Sequence, residues 1–160
     1  MKIIPLKEEH FAVVSRIYSE GMATGVATFE TKVPNWDAWN TKFLADCRYV
    51  LMIENVVAAW CALSPVSKRE VYKGVAEDTI YVASKFQNKG IGHTLLTYLI
   101  EESEKAGFWT LQAGIFSENT SSICLHERCG FRILGVRKKI AQRNGIWHDN
   151  VLMERRSNLF

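Results

Sequence analysis

The strongest constraint in this sequence is a glycine-containing turn between a β-like run and an amphipathic segment. The apolar run Asp78–Val82 precedes the turn Gln87–Gly92, and a helix with one apolar face is predicted over Ile91–Ala106. Backbone N–H groups in a first helical turn lack intrahelical partners, and the helix dipole adds about half a positive charge there. Gly90 and Gly92 would let the backbone approach a bound anion closely. The turn therefore predicts a phosphate site, although two glycines can also simply end a strand and start a helix.

Two common phosphate-binding fingerprints do not fit this turn. A Rossmann turn would need a third glycine at the position of Leu95, and a P-loop would need a lysine after its glycine, whereas Lys89 precedes Gly90. The spacing Gln-x-x-Gly-x-Gly therefore points to a different phosphate-bearing ligand.

Periodicity and turn signals predict that helices and strands alternate along the whole chain. Strands are predicted at Lys2–Leu6, Tyr49–Glu54, Val56–Leu63, Val75–Val82, Trp109–Phe116, Phe131–Ala141 and Ile146–Glu154. Helices are predicted from Phe11 to near Gly21, over Trp36–Asp46 and Ile91–Ala106, and from the N-cap Asn119 to Arg128. Because a strand, a helix and a strand surround the glycine turn, a parallel crossover is expected there. The order indicates an α/β chain of the α+β type, with a mixed central sheet.

Composition narrows the class of protein. The chain has 160 residues, of which 48% are hydrophobic, so one domain spanning 1–160 is expected. Neither a run long enough for a membrane span nor a signal peptide is evident, which predicts a cytoplasmic protein without membrane attachment. A net charge of +3 is too small to indicate nucleic-acid binding, but it suits an anionic coenzyme. The four cysteines lack the paired spacing of a zinc site or a disulfide framework, so no metal is predicted.

The glycine turn and the element order together resemble the GNAT superfamily of N-acetyltransferases, and the resemblance covers nearly the whole chain. It is most specific to the branch of phosphinothricin and methionine sulfoximine or sulfone acetyltransferases. The matching segments are Thr28–Thr31, Leu63–Arg69, Ala76–Val82, Gln87–Gly92, Ile115–Asn119, Leu125–Phe131 and Gly145–Asp149. The resemblance implies a GNAT fold with about seven strands and about four helices, acetyl-CoA as acetyl donor without a metal, and a homodimer.

The same resemblance implies a coenzyme site. It assigns the pantetheine arm to backbone groups of Ile80, Tyr81 and Val82, which would pair with its amides beside a splayed strand. The pyrophosphate would lie against Gln87, Asn88, Lys89, Gly90, Ile91, Gly92 and His93. Asn119 would contact the amide region of the coenzyme, and Ser122 could reach the same ligand, although a helix N-cap alone would also select Asn.

Two residues are candidates for catalysis. Glu77 matches the glutamate that the family places before the pantetheine site, and it would accept the proton of the attacking ammonium group, directly or through water. It could instead only bind that ammonium group, or be a solvated carboxylate. His126 occupies the place where many GNAT enzymes carry a tyrosine proposed to protonate the thiolate, but a structural role is an open alternative.

The acceptor is expected to be a small amino-acid-like amine of the phosphinothricin, methionine sulfoximine or methionine sulfone type. Arg69 and Tyr72 would recognise its carboxylate, Phe29 would wall the pocket, and His148 would lie near it. Since His148 alternates with Trp147, one of the two is expected to face inward and the other outward. Alternatives are an acetyltransferase for a protein N-terminus or another amine, and a non-catalytic acyl-CoA-binding regulatory module.

Overall fold

A seven-stranded mixed sheet organises the chain, and the computed structural model describes all residues from 1 to 160. The strands are β1 Lys2–Pro5, β2 Arg48–Ile53, β3 Val56–Pro65, β4 Val75–Val82, β5 Thr110–Phe116, β6 Arg132–Arg143 and β7 Ile146–Arg156. The helices are α1 Phe11–Ala23, α2 Trp36–Lys42, α3 Ile91–Lys105 and α4 Thr120–Arg128, with short 3₁₀ turns at Glu8–His10, Glu70–Tyr72 and Ser84–Phe86. The predicted number and order of strands and helices are confirmed.

The sheet order is β1-β2-β3-β4-β5-β7-β6, and β4 and β5 form its parallel pair. Their ladder joins only Val75–Glu77 to Thr110–Gln112. Both strands continue beyond this ladder without pairing to each other, so a gap opens between their carboxyl ends. The predicted parallel crossover through α3 is confirmed, and the gap is the splay that the family resemblance implies.

Apolar residues pack on both faces of the sheet. On one face, Leu95, Leu96 and Leu99 of α3 are fully buried against the sheet. On the other face, Trp39 of α2 and Trp60 of β3 anchor the packing of α1 and α2. None of the helices combines the length and the apolar character needed to cross a lipid bilayer.

The alternation along β4 sends its two adjacent carboxylates to opposite faces. Tyr81 stacks on Trp60 and contacts Tyr18 of α1, so Glu77, four residues earlier, lies on the α1 side. Asp78 lies on the other side, where it contacts α4. The sheet therefore separates the chemistry of these two neighbours.

Helix α2 is shorter than predicted. It ends at Lys42 and not at Asp46, because Phe43 is extended, with φ −101° and ψ 147°, and the N–H of Leu44 bonds to the carbonyl of Leu63 at 2.8 Å. Burial of Phe43 against Trp39 and Trp60 accompanies this early end. The tertiary contact thus overrides a local pattern that would have allowed one more helical turn.

Candidate active site

A cleft of about 790 Å³ runs through the gap between β4 and β5. Its lining includes most of the residues predicted to bind coenzyme or acceptor or to take part in catalysis: Phe29, Glu77, Ile80, Tyr81, Val82, Gln87, Asn88, Gly90, Ile91, Gly92, His93, Asn119, Ser122 and His126. These residues come from β4, the glycine turn, the first turn of α3, helix α4 with its N-cap, and the loop after α1. One cleft therefore joins a helix N-terminus to a half-buried carboxylate.

The glycine turn has the conformation that an anion site requires. Gly90 caps α3 with φ +76°, in the left-handed region that glycine adopts without strain, and no side chain caps this helix. Gly92 lies close to α4, since a Cβ there would lie 3.2 Å from Leu125 Cδ2, which would have to shift by a few tenths of an ångström. The first N–H groups of α3 are thus available to a phosphate group.

The Lys89 side chain does not line the cleft. Its ammonium group donates to the carbonyl of Lys85 at 3.1 Å and lies over the ring of Phe86. Its neighbours Gln87 and Asn88 do line the cleft, but the Gln87 amide donates to the carbonyl of Val82 at 3.3 Å. What the turn offers to an anion is therefore chiefly its backbone N–H groups.

The segment of β4 beyond Glu77 serves the core and the cleft together. The side chain of Tyr81 is held between Tyr18 and Trp60, and burial raises its pKa. Its backbone edge, by contrast, has no β5 partner, because the ladder ends at Glu77. The geometry is compatible with a core strand whose side chains pack inside the protein. It is equally compatible with a strand whose open backbone edge pairs with the pantetheine arm.

Glu77 lies at the last paired position before the gap. The Gln112 amide of β5 donates to Glu77 Oε2 at 3.1 Å, which fixes one carboxylate oxygen and leaves Oε1 without a protein partner. The residue is half-buried and lines the cleft. A carboxylate held in this way can accept a proton from a group in the cleft.

Asp78 and His126 form a buried pair on the opposite face. His126 Nε2 lies 3.0 Å from Asp78 Oδ2, and the two side chains are only 2% and 1% exposed. His126 Nδ1 lies 2.7 Å from the Ser122 carbonyl, which can only accept, so this nitrogen carries a proton. Burial alone would lower the pKa of His126, but Asp78 and the bond to Ser122 outweigh it and raise the pKa above its ordinary value.

Phe29 and Phe116 line the α1 side of the cleft, and His148 contacts both rings without being part of the lining. The Phe29 ring lies 4.3 Å from that of Phe116, and His148 lies 4.8 Å from Phe116 between centroids. His148 also contacts Glu118 at 3.2 Å and is largely enclosed, whereas Trp147 is 54% exposed. The predicted alternation is confirmed, with His148 inward and Trp147 outward.

Arg69 and Tyr72 are not brought into this cleft. They lie on the loop before β4, where the Arg69 guanidinium stacks over the Tyr72 ring at 5.4 Å, and neither lines the cleft. Their contact with each other is local, as expected for a cationic residue and an aromatic residue three positions apart. The assignment of the acceptor carboxylate to this pair stays a prediction.

Several polar residues in or beside the cleft were not identified from the sequence, and three of them form hydrogen bonds there. Gln112 holds Glu77, while Arg137 of β6 donates to Asn150 of β7 at 2.5 Å, and both members of this second pair line the cleft. No local pattern distinguishes them, because their positions depend on the register of β5, β6 and β7. No group of three or more His, Cys, Asp or Glu side chains is arranged to hold a metal ion.

Comparisons with known proteins agree with this geometry. The sequence profile of the acetyltransferase (GNAT) family matches residues 14–131. A phosphinothricin N-acetyltransferase of Streptomyces viridochromogenes is 31% identical, over 93% of this chain and 84% of the relative. An L-methionine sulfoximine/L-methionine sulfone acetyltransferase of Salmonella typhimurium is 27% identical, over 89% of this chain and 86% of the relative.

Solved structures give the same fold. A phosphinothricin acetyltransferase of Sinorhizobium meliloti in complex with AcCoA has a TM-score of 0.88 and 28% identity, covering 97% of this chain and 87% of that one. A ribosomal-protein-alanine N-acetyltransferase of Brucella melitensis has a TM-score of 0.89 and 28% identity, covering 98% and 100%. The chain therefore belongs to the GNAT family of acetyltransferases, and it is an acyltransferase that uses acetyl-CoA. The fold and the branch predicted from the sequence are confirmed.

Proposed function

We propose that this protein transfers the acetyl group of acetyl-CoA to the amino group of a small amino-acid-like acceptor, of the phosphinothricin, methionine sulfoximine or methionine sulfone type. The observation that carries the proposal is the gap between β4 and β5, which opens at Glu77 and joins a phosphate-binding helix start to an aromatic-walled pocket. The names of the relatives support the class of acceptor.

The coenzyme would lie along the predicted residues of the cleft. The N–H groups after Gly90 would bind the pyrophosphate, and the open edge at Ile80–Val82 would pair with the pantetheine amides. Asn119 caps α4 by accepting the N–H of Ser122 at 3.2 Å, which leaves its amide N–H₂ available to a ligand. An N–H of the splayed strand, at Val82, would stabilise the oxygen of the tetrahedral intermediate.

Glu77 would be the base. The ammonium group of the acceptor gives one proton to Glu77, directly or through water, and the resulting neutral amine attacks the thioester carbonyl carbon. The C–S bond then breaks, and the second proton lost by the nitrogen ends on the departing thiolate. The hydrogen bond from Gln112 holds the carboxylate in place on the α1 side, where the aromatic wall of the pocket also lies. The departing thiolate is a good leaving group and needs only a weak acid.

His126 would have a structural role and would not transfer a proton in the reaction. Both ring nitrogens are within hydrogen-bond distance of oxygen atoms, namely Asp78 Oδ2 and the Ser122 carbonyl. Direct protonation of the thiolate would require one of these bonds to break. The structural alternative left open by the sequence is therefore the one that this geometry favours.

The test is mass-spectrometric detection of N-acetyl product from acetyl-CoA and a panel of phosphinothricin, methionine sulfone, methionine sulfoximine, ordinary amino acids, polyamines and peptides. Glu77→Gln should lower kcat/KM about 10²–10⁴-fold with little change in affinity for acetyl-CoA. Glu127→Gln, on the exposed face of α4, is the matched control and should keep full activity. A loss below about tenfold for Glu77→Gln would argue against its role as base.

A protein N-terminus is the second candidate acceptor. The likeness to a ribosomal-protein-alanine N-acetyltransferase favours it, since that structure superposes over nearly the whole chain. The peptides in the panel decide between the two, because rapid acetylation of peptides without acetylation of free amino acids would replace the first proposal with the second.

We also propose that the chain is one GNAT domain over 1–160 and that it forms a homodimer through the hairpin β6–β7. The edge strand β6 is exposed along nearly its whole length, and the hairpin presents Val136, Ile140, Ile146 and Trp147 to solvent. An exposed apolar edge strand favours pairing with another chain. Trp39, in contrast, is buried in the core, and Trp36 packs against it.

A cytoplasmic location is proposed on the state of the thiols. All four cysteines are free, and Cys47 and Cys61 are buried. Unpaired thiols are typical of a reducing compartment.

A further inference from the structure

We propose that Arg137 binds the α-carboxylate of the acceptor and so selects free α-amino acids over simple amines. The inference rests on the proposed acetyl transfer to a small amino acid, and it assigns the carboxylate to a residue that lies in the cleft. Arg69, the residue predicted for this role, lies outside the cleft lining.

A buried amide orients the Arg137 side chain. Arg137 of β6 lies opposite Asn150 of β7, and Asn150 lies opposite Phe116 of β5. Arg137 Nη2 donates to Asn150 Oδ1, and Asn150 is only 4% exposed. The guanidinium is thus held at a fixed place on the cleft wall by a side chain that has little freedom to move.

The absence of a side chain at Gly114 leaves room for this arrangement. An ideal Cβ on Gly114 would lie 3.2 Å from Asn150 Oδ1 and 3.5 Å from Arg137 Nη2. The guanidinium therefore lies directly over the backbone of β5 within the cleft. The backbone of Gly114 is not in the left-handed region, so space and not conformation is what this glycine supplies.

Arg137 and Glu77 lie on the same face of the sheet. Glu77 pairs with Gln112, and Gly114 is two residues further along β5, so it shares that face. One strand spacing of about 4.8 Å and one two-residue step of about 6.8 Å place the Glu77 and Gly114 backbones about 8 Å apart. The Glu77 carboxylate and the Arg137 guanidinium, which lies over Gly114, therefore approach the intervening space from two sides, as would suit the ammonium and carboxylate groups of one amino acid.

The charges favour an anionic ligand at Arg137. Arg132 and Arg155 are each bonded to a carboxylate, of Glu154 and Glu104 respectively, whereas Arg137 has no acidic side chain within ion-pair distance. Its bond to Asn150 uses one N–H and leaves others of the planar fork open to the cleft. That fork matches a carboxylate in geometry and charge.

The test compares acceptors with and without the carboxylate. Kinetics would be measured for Arg137→Gln with methionine sulfone, with its carboxylate-free analogue 3-(methylsulfonyl)propylamine, and with methionine, which lacks the sulfone oxygens. We expect kcat/KM to fall about 10- to 150-fold for both amino acids, mainly through KM, and to change little for the amine. Arg132→Gln, an exposed arginine of the same strand, is the matched control and should change none of the three.

A second variant tests position without removing the charge. Gly114→Ala should displace Asn150 and Arg137 by a few tenths of an ångström, and it should raise KM for the amino acids while KM for acetyl-CoA and the melting temperature stay near wild type. Calorimetric titration of methionine sulfone into each variant with CoA bound gives affinity separately from turnover, and it should weaken in parallel.

The outcomes separate the inference from the proposed function. An equal loss for the amine and the amino acids would overturn the carboxylate assignment, as would a loss confined to the sulfones, which would place Arg137 against the side-chain oxygens. If wild-type enzyme acetylates simple amines as well as it acetylates amino acids, the selectivity claim is wrong although the transferase function stands. If wild-type enzyme acetylates no acceptor in the panel, the proposed function itself fails.

Discussion

Replacing His126 by leucine should destabilise the fold severely, because it would leave the buried carboxylate of Asp78 without its partner. Asp78 Oδ1 already lacks a hydrogen-bond partner, and the substitution would remove the only one that Oδ2 has. Breaking a buried pair from one side costs about 3–5 kcal/mol of the free energy of unfolding. For a chain of this size, that corresponds to a fall in Tm of about 6–20 °C.

The assay is urea denaturation at pH 7, monitored by tryptophan fluorescence, which reports on the buried Trp39 and Trp60. The double variant Asp78→Leu/His126→Leu is the informative comparison, because it removes both charges together. Such a double replacement is often neutral or stabilising relative to the intact pair, so it should recover most of the loss. A cost below about 1 kcal/mol for His126→Leu, or a double variant no more stable than the single one, would refute the buried ion pair.

Three further predictions follow from the same structure. Because the pKa of His126 is raised, the stability that its charge contributes is fully present below about pH 6.5 and is lost as pH rises through its folded pKa. The stability of wild type relative to the double leucine variant should therefore decrease from pH 6.5 to pH 9, and a constant difference would contradict the raised pKa. Gly90→Ala and Gly107→Ala both force alanine into positive φ and should each cost about 1–2 kcal/mol, but only Gly90→Ala should weaken acetyl-CoA binding in calorimetry. Trp147→Glu should shift the protein towards monomer in light scattering, whereas Leu159→Glu, at a still more exposed position of the C-terminal tail, should not; equal effects would argue against the hairpin interface.

The glycine turn could be predicted because its signals are local. Residues that are adjacent in the chain set the φ of Gly90, the start of α3 and the N–H groups of its first turn that lack intrahelical partners. The same holds for the N-cap at Asn119 and for the alternation of Trp147 with His148. The family resemblance added the expectation that β4 and β5 separate, which the short ladder confirms.

The end of α2 and the place of Arg69 could not be predicted in the same way. Lys42 ends the helix because Phe43 packs against tryptophans of α2 and β3, and Trp60 is distant in the chain. Arg69 was assigned to the acceptor from a loop match, yet the side chain stacks on its own neighbour Tyr72. Loop residues have few long-range constraints, so a matching sequence there does not fix where a side chain points.

The sequence by itself determined the strand–turn–helix unit, the order of the elements and the residue types of a coenzyme site, because backbone preference and periodicity act over a few residues. Only the tertiary structure decided which side chains meet in the cleft. Asp78 and His126 are 48 positions apart, Glu77 and Gln112 are 35 apart, and Arg137 reaches the cleft only through the register of β6, β7 and β5. The physical reason is that strand pairing brings together residues whose separation along the chain carries no signal, and a shift of one residue would turn each of them to the opposite face.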